Sequence, residues 1–356
     1  LEWYDRMRRD LPWRRETDPY RIWVSEIMLQ QTRVETVIPY YQRFLQRFPD
    51  MQALSAAGED ELLSVWQGLG YYSRARNLQQ GVREVVERYG GQVPDSHEAV
   101  LSLPGIGAYT AGAILSIAHN KPEPAIDGNV LRVFSRLLKI EEPIEKPQTK
   151  RRIETAVRTM MAAIPRYGDI TQALMELGAI VCIPRNPRCD ECPWMKYCLA
   201  CKDQVQGLLP KKKSPEPPRI VEVYSGILIE DGRVLAMKRP AKGLLAGMWE
   251  FPSVETAATT DTTGEGLQLL YALFRAAGRE VTVDSQWRTL THTFSHREWR
   301  MRVFLCQASP LAGQTVDCAS WMDAERIREA TWAGPHRKVA AWVSEEFREL
   351  LQEKGK

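Results

Sequence analysis

Two carboxylates and one group of cysteines stand out by type and spacing. Glu26 lies in IWVSEIML, where Trp23, Ile27, Leu29 and Gln30 surround it with apolar or neutral side chains. A carboxyl so placed either lies on the solvated face of an amphipathic helix or, turned inward, loses hydration, so that its pKa rises and it can hold a proton near neutrality. That is what a general acid requires. Asp127 lies in PAIDGNV, directly ahead of the amphipathic run VLRVFSRLLKI. Aspartate there is a favoured helix N-cap. It can equally be a carboxylate that stays ionised and faces a developing cation. An acid and an ionised carboxylate together suit cleavage of a glycosidic bond, because positive charge builds at the anomeric carbon. Cys182, Cys189, Cys192 and Cys198 have the spacing C-x6-C-x2-C-x5-C. Four thiolates in so short a loop bind either zinc or an iron–sulfur cluster. Five of the seven cysteines fall within residues 182–201, so they do not read as a disulfide framework, and Cys201 stands outside the pattern.

These groups must be carried by helices. Residues 1–200 show helical spacing nearly throughout. The run from Tyr20 is expected to break at Pro39, and DELLSVWQGLG stops at Gly68 and Gly70. Asp95 with Glu98 three residues on predicts a capping box ahead of SHEAVLSL. LPGIGAYTAG follows, a tight turn in which Gly105 and Gly107 precede a helix at once. The free N–H groups of that helix suit one anion, such as a single DNA phosphate, though a plain interhelical turn has the same form. At KKKSPEPPRIVEV the composition changes to that of a linker. Beyond it the period moves towards two. VYSGILIEDGRVLAMKR predicts a hairpin around Asp231 and Gly232, GLQLLYALFRAAG a helix ending at Gly278, WRTLTHTFSH and EWRMRVFLCQA two strands, and KVAAWVSEEFRELLQE a last helix. The chain of 356 residues therefore reads as an all-α domain followed by an α/β domain. Net charge is only +3, so any nucleic-acid surface must be a local patch. No apolar run is long enough to span a bilayer and no signal peptide is visible.

LPGIGAYTAG with PAIDGNV downstream resembles the helix–hairpin–helix DNA glycosylase superfamily. Over nearly its whole length the chain is most similar to MutY-type adenine DNA glycosylases. The resemblance implies an all-α catalytic region over 1–202, with a helical barrel at 22–130 and an iron–sulfur subdomain made of 1–21 and 131–202. A linker at 203–222 and a MutT-like (Nudix-like) α/β domain at 223–352 would follow. Glu26 matches the acid that protonates adenine. Asp127 matches the aspartate that stabilises the sugar intermediate, and Asn129 would orient it. Tyr109 stands where the lyase branch has a lysine, and the resemblance places it against the catalytic aspartate. A phenol is a poor nucleophile at neutral pH, so base removal without a strong strand-cutting step is expected.

A stacked base must be turned out of the duplex before it can react. Gln31 in QQT and Tyr71 in YYS resemble the family's wedge residues, and Arg9, Trp13 and Leu29 match its adenine pocket. The four cysteines match its [4Fe–4S] loop, with Arg185 and Arg188 placed to meet DNA phosphates. GLLAGMWEFP resembles the start of the attached MutT-like domain, whose expected helix GLQLLYALFRAAG has Arg275 but no carboxylate, so metal-dependent nucleotide hydrolysis is not expected. Thr293, Phe294, Ser295 and His296 are the candidates for reading 8-oxoguanine on the opposite strand. The expected partner is double-stranded DNA containing A opposite 8-oxoguanine, bound by a monomer in the cytoplasm at the bacterial nucleoid. An endonuclease III-like glycosylase/lyase for oxidised pyrimidines is the alternative enzyme, against which Tyr109 and the second domain both count. A non-catalytic damage-binding protein is the alternative outside catalysis.

Overall fold

In a computed structural model of the chain, which describes residues 1–213, 217–240, 243–257, 263–294, 296–308 and 319–348, the backbone divides into two units, Leu1–Ser214 and Pro215–Lys356. The first is helical: α1 (Glu2–Met7), α2 (Pro19–Leu29), α3 (Val34–Arg47), α4 (Met51–Ala56), α5 (Glu59–Trp66), α6 (Ser73–Tyr89), α7 (His97–Ser102), α8 (Ala108–Ile117), α9 (Gly128–Leu137), α10 (Pro147–Ala162), α11 (Tyr167–Glu176) and α12 (Leu199–Lys202). Among the described residues no helix is long and apolar enough to cross a membrane.

Two boundaries differ from the sequence reading. The run from Tyr20 breaks at residues 30–32, where Gln31 adopts a left-handed backbone with φ 57°, while Pro39 is carried inside α3. Burial of Val37, Tyr41 and Phe44 on one face of α3 outweighs the single backbone hydrogen bond that proline removes. The N-cap of α7 is Ser96, whose hydroxyl accepts from the Ala99 amide, and Asp95 instead pairs with Lys121. The two residues are equally good caps, and the extended backbone of Ser96 decides between them.

Helices α2, α3, α5, α6 and α8 share a core containing Trp23, Phe44, Trp66, Leu78, Val82 and Ile114. Helices α9, α10 and α11 build a second one around Val133, Phe134, Ile153 and Leu174. The hairpin turn lies between α7 and α8. Gly105 there has φ 76°, and a Cβ on it would stand 2.5 Å from Cβ of Asn77, so glycine is required on both counts.

The second unit is built on seven described strands: β1 (Arg219–Glu230), β2 (Arg233–Lys238), β3 (Trp249–Glu250), β4 (Ser253–Ala257), β5 (Val281–Thr293), β6 (Arg297–Ala308) and β7 (Ala319–Met322). Their order is β3-β2-β1-β6-β5, with β4 also on β1 and β7 on β2. β1 and β6 run parallel, and the other pairings are antiparallel. Asp231 and Gly232 turn the β1–β2 hairpin with φ of 50° and 71°, as a two-residue turn of the twist-matched kind requires. One face carries α13 (Thr263–Ala276) over Tyr224 and Phe304. A separate core around Phe251, Trp299 and Trp332 receives α14 (Ala324–Glu329) and α15 (Gly334–Glu346). The helix α13 begins ahead of GLQLLYALFRAAG, so it includes Glu265 in its first turn as well as Arg275 in its last.

Candidate active site

An open cavity of about 580 Å³ lies where the two helical cores meet. Its lining brings together Glu26, Tyr109, Asp127, Asn129, Arg9, Trp13, Leu29, Gln31 and Gly107. Glu26 stands on α2 between core residues and is only 4 % exposed. Burial pushes its carboxyl up to about 7, and the nearby charge of Asp127 acts in the same direction. The hydroxyl of Tyr109, in the first turn of α8, donates to Glu26 Oε2 at 2.5 Å and partly offsets that rise. Tyr109 thus meets the acid rather than Asp127, against expectation. Burial and the two carboxylates drive its own pKa further up, so the phenol stays a donor.

Asp127 is a helix cap and a cavity residue at once. Oδ1 accepts from the Val130 amide at 2.8 Å, and Oδ2 accepts from Asn129 Nδ2 at 2.7 Å. Burial raises its pKa, and these donors oppose the rise. Asn129 is held in turn by Arg132, whose Nη2 donates to Asn129 Oδ1 and to the Gly178 carbonyl, both at 2.8 Å. Gly178 permits this approach, since a Cβ on it would stand 2.5 Å from Cβ of Asn129.

Sequence reasoning missed the far wall, Arg14, Gln172, Met175 and Glu176. Glu176 ends α11 and is fully buried. Burial alone would raise its pKa, but hydrogen bonds from Arg14 at 2.5 Å and Arg9 at 2.8 Å hold it down to about 2. Arg9 is therefore locked to Glu176 through its amide and its guanidinium. The signal that marked Glu26, a lone carboxylate in an apolar helical run, is also present in QALMELGAIV. Trp13 is mostly buried, set edge-on to Tyr41 with centroids 5.5 Å apart, and serves the core and the cavity wall together.

Gly107 caps α8 with φ −100°, and nothing lies within 4 Å of where its Cβ would be. The start of α8 is therefore open to an approaching group. Gln31 and Tyr71 (φ 47°) are both exposed on left-handed turns. Arg185 and Arg188 are exposed on the cysteine loop, where Arg188 faces Glu191 at 3.8 Å, and neither lines the large cavity. The four cysteines of the motif line a second, apolar-walled cavity with Val133, Leu177 and Trp194. Arg136 Nη1 donates to Cys182 Sγ at 3.3 Å. Among the described residues no three His, Cys, Asp or Glu side chains are grouped to hold a single metal ion. The four motif thiols line the second cavity together with Cys201, and with a guanidinium on one sulfur the pocket fits a polynuclear cluster better than one zinc ion.

In the second unit, Phe294 does not present a free ring. It is half-buried and packs edge-on against Trp299 and His292, with centroids 5.2 Å and 4.5 Å away. Its amide donates to the Arg297 carbonyl and closes the β5–β6 hairpin. His296 is exposed at the tip, and Ser295 lies outside the described residues.

Residues 24–159 match the family of HhH-GPD superfamily base excision DNA repair proteins, residues 182–198 the iron–sulfur binding domain of endonuclease III, and residues 224–342 the NUDIX domain. The chain is 37% identical to the adenine DNA glycosylase of Rattus norvegicus, covering 95% of this chain and 76% of that protein. To the adenine DNA glycosylase of Homo sapiens it is also 37% identical, over 95% of this chain and 72% of the relative. Among solved structures it is similar to a thermostable thymine-DNA glycosylase, with a TM-score of 0.51 and 28% identity over 57% of this chain and 93% of that one.

Proposed function

Since the chain belongs to the adenine DNA glycosylase family and carries an endonuclease III-type iron–sulfur binding domain, we propose that it removes adenine paired with 8-oxoguanine from duplex DNA. The observation that carries this reading is the pairing of a buried Glu26, protonated up to about pH 7, with Asp127 in one open cavity. The amides at the start of α8 take a backbone phosphate. Gln31 and Tyr71 enter the duplex as the adenine leaves it. Arg9, Arg14, Trp13, Leu29 and Glu176 enclose the extruded base. Glu26 gives its proton to a ring nitrogen of adenine, and the N-glycosidic bond breaks with its electron pair going to the base. Asp127, fixed by Asn129, faces the sugar cation until water adds. No amine stands at position 109, so no Schiff base with the sugar forms there. Cys182, Cys189, Cys192 and Cys198 would hold a [4Fe–4S] cluster, which when bound would fix the shape of the loop bearing Arg185 and Arg188. The second unit reads the partner base, with exposed His296 on a hairpin anchored by Phe294.

The test is single-turnover release of free adenine from a duplex carrying A opposite 8-oxoguanine, with Glu26→Gln and Asp127→Asn in parallel. Release by the parent and loss in both variants is the expected result. No release by folded, cluster-loaded parent protein would overturn the reading and point to damage binding without catalysis.

A further inference from the structure

One buried cation is not used by the chemistry above. Arg74, in the first turn of α6, is 9 % exposed and forms no salt bridge among the described residues. Its partners are oxygen atoms of two separate turns. Nη1 donates to the carbonyls of Ile27, Met28 and Gln30, at 2.8, 3.1 and 2.5 Å. Those are the open carbonyls at the end of α2 and the residue just before Gln31. Nη2 donates to the carbonyls of Leu69 and Gly70, at 3.0 and 3.1 Å, and reaches Thr32 Oγ1 at 3.4 Å. Those carbonyls come just before Tyr71. The guanidinium also lies 5.5 Å from the Trp66 ring centre and 5.6 Å from that of Tyr71.

Both turns place a non-glycine residue in the left-handed region, Gln31 at φ 57° and Tyr71 at φ 47°. Side chains other than glycine adopt that conformation only where the surroundings hold them in it. A fork that binds the carbonyl preceding each residue supplies such a hold, and it fixes the separation of the two turns. A lysine in its place has one nitrogen and cannot bond both sets at once.

We propose that Arg74 is a positioning residue for base extrusion: its guanidinium clamps the two left-handed turns so that Gln31 and Tyr71 enter the duplex at a fixed spacing. This rests on the wedge assignment made above. Arg74 touches neither the cavity carboxylates nor the extruded base; it acts through the two turns.

The test is a mutant cycle in single-turnover adenine release under saturating enzyme. The proteins are the parent, Arg74→Lys, the pair Gln31→Ala with Tyr71→Ala, and the triple variant, each checked for cluster absorbance and melting. Arg74→Lys is expected to slow release from the duplex about a hundredfold, the scale of a misplacement near 1 Å. The wedge pair is expected to be slow as well, and the triple variant no slower than the wedge pair. A triple variant slowed by the product of the two separate losses would show that Arg74 acts independently of the turns, and the proposal would fall. A wedge pair as fast as an active parent would overturn the wedge assignment and the proposal with it, whereas an inactive parent would overturn the functional reading itself. If Arg74→Lys does not accumulate folded, Thr32→Val removes the fork's one side-chain acceptor. Its smaller loss must likewise vanish in the wedge-pair background, and persistence there refutes the clamp.

Discussion

Glu26 gives a prediction in which stability and activity move in opposite directions. Its carboxyl is pushed from an ordinary 4.5 to about 7, chiefly by burial. Between those values the unfolded chain has released this proton and the folded chain has not, so the folded state loses stability as pH rises. The loss begins near pH 4.5, is complete a little above pH 7, and amounts to about 3 kcal/mol. Glu26→Gln keeps an oxygen to accept from Tyr109 and has no proton to lose. The variant should therefore match the parent near pH 4.5 and exceed it by about 3 kcal/mol at pH 8. For a unit of this size, Leu1–Ser214, that is roughly 5–10 °C in melting temperature. The assay is a melting series from pH 5 to 8.5 at one scan rate, beside single-turnover adenine release, which the variant should have lost. A melting difference that does not change with pH would refute the reasoning, because only a proton held by the folded state makes the difference grow. A variant destabilised at every pH would show instead that Glu26 is a structural hydrogen-bond partner.

The rate of adenine release should fall above about pH 7, approaching tenfold per pH unit, as Glu26 ionises. Tyr109→Phe removes the hydrogen bond that holds that pKa down, so the alkaline limb of the profile should move to higher pH, and an unmoved limb would contradict the contact seen here. Arg132→Gln releases Asn129 Oδ1 and the Gly178 carbonyl and removes one of the two guanidinium donors to the Cys182 carbonyl. It should lower both the release rate and retention of the cluster, read from visible absorbance, with a loss on the order of 1–3 kcal/mol for the unpaired buried carbonyls. Phe294→Ala should destabilise the second unit by about 3 kcal/mol in a melt, as expected for a half-removed aromatic anchor, while His296→Ala should leave the melt unchanged and reduce preference for 8-oxoguanine over guanine as partner.

What could be read from the sequence was what depends on near neighbours. Glu26 was visible because the residues that desolvate it lie on its own helix. The turn at Asp231 and Gly232 was visible because only a few residue types take two successive left-handed positions. Gln31, Tyr71, Trp13 and Arg9 came from likeness to a family, and the structure adds what holds them in place. Nothing local distinguishes Arg74 and Arg14, and the apolar run around Glu176 does not show the arginines that hold it. Arg74 meets the carbonyl of Ile27 from 47 residues away, and Glu176 meets Arg9 across 167. Tyr109 was placed against the wrong carboxylate for the same reason: both acids lie within reach of one face of α8, and the packing of α2 on α8 decides which one the phenol meets. Pro39 misled because the side-chain burial that keeps α3 continuous outweighs a rule about one backbone bond.

The cavity moves its three carboxylates in different directions, and the donors around each explain the difference. Glu26 and Glu176 are buried and Asp127 is half-buried, and desolvation pushes every one of them up. Glu176 receives two guanidinium groups and a backbone amide, and these charged donors reverse the effect and hold it ionised. Asp127 receives a helix-start amide and an amide side chain, which oppose the rise without a full positive charge. Glu26 receives one neutral phenol and feels the negative charge of Asp127, and its carboxyl is pushed up to about 7. Burial is the largest influence on all three, and the positive charge delivered to its oxygens is what holds Glu176 alone below the ordinary value. On the proposed mechanism, Glu26 holds its proton before any base arrives, and Glu176 keeps Arg9 and Arg14 against the pocket wall without taking the proton the reaction needs. A substitution that brings a guanidinium to Glu26 should therefore abolish adenine release as completely as Glu26→Gln does, although the carboxylate remains.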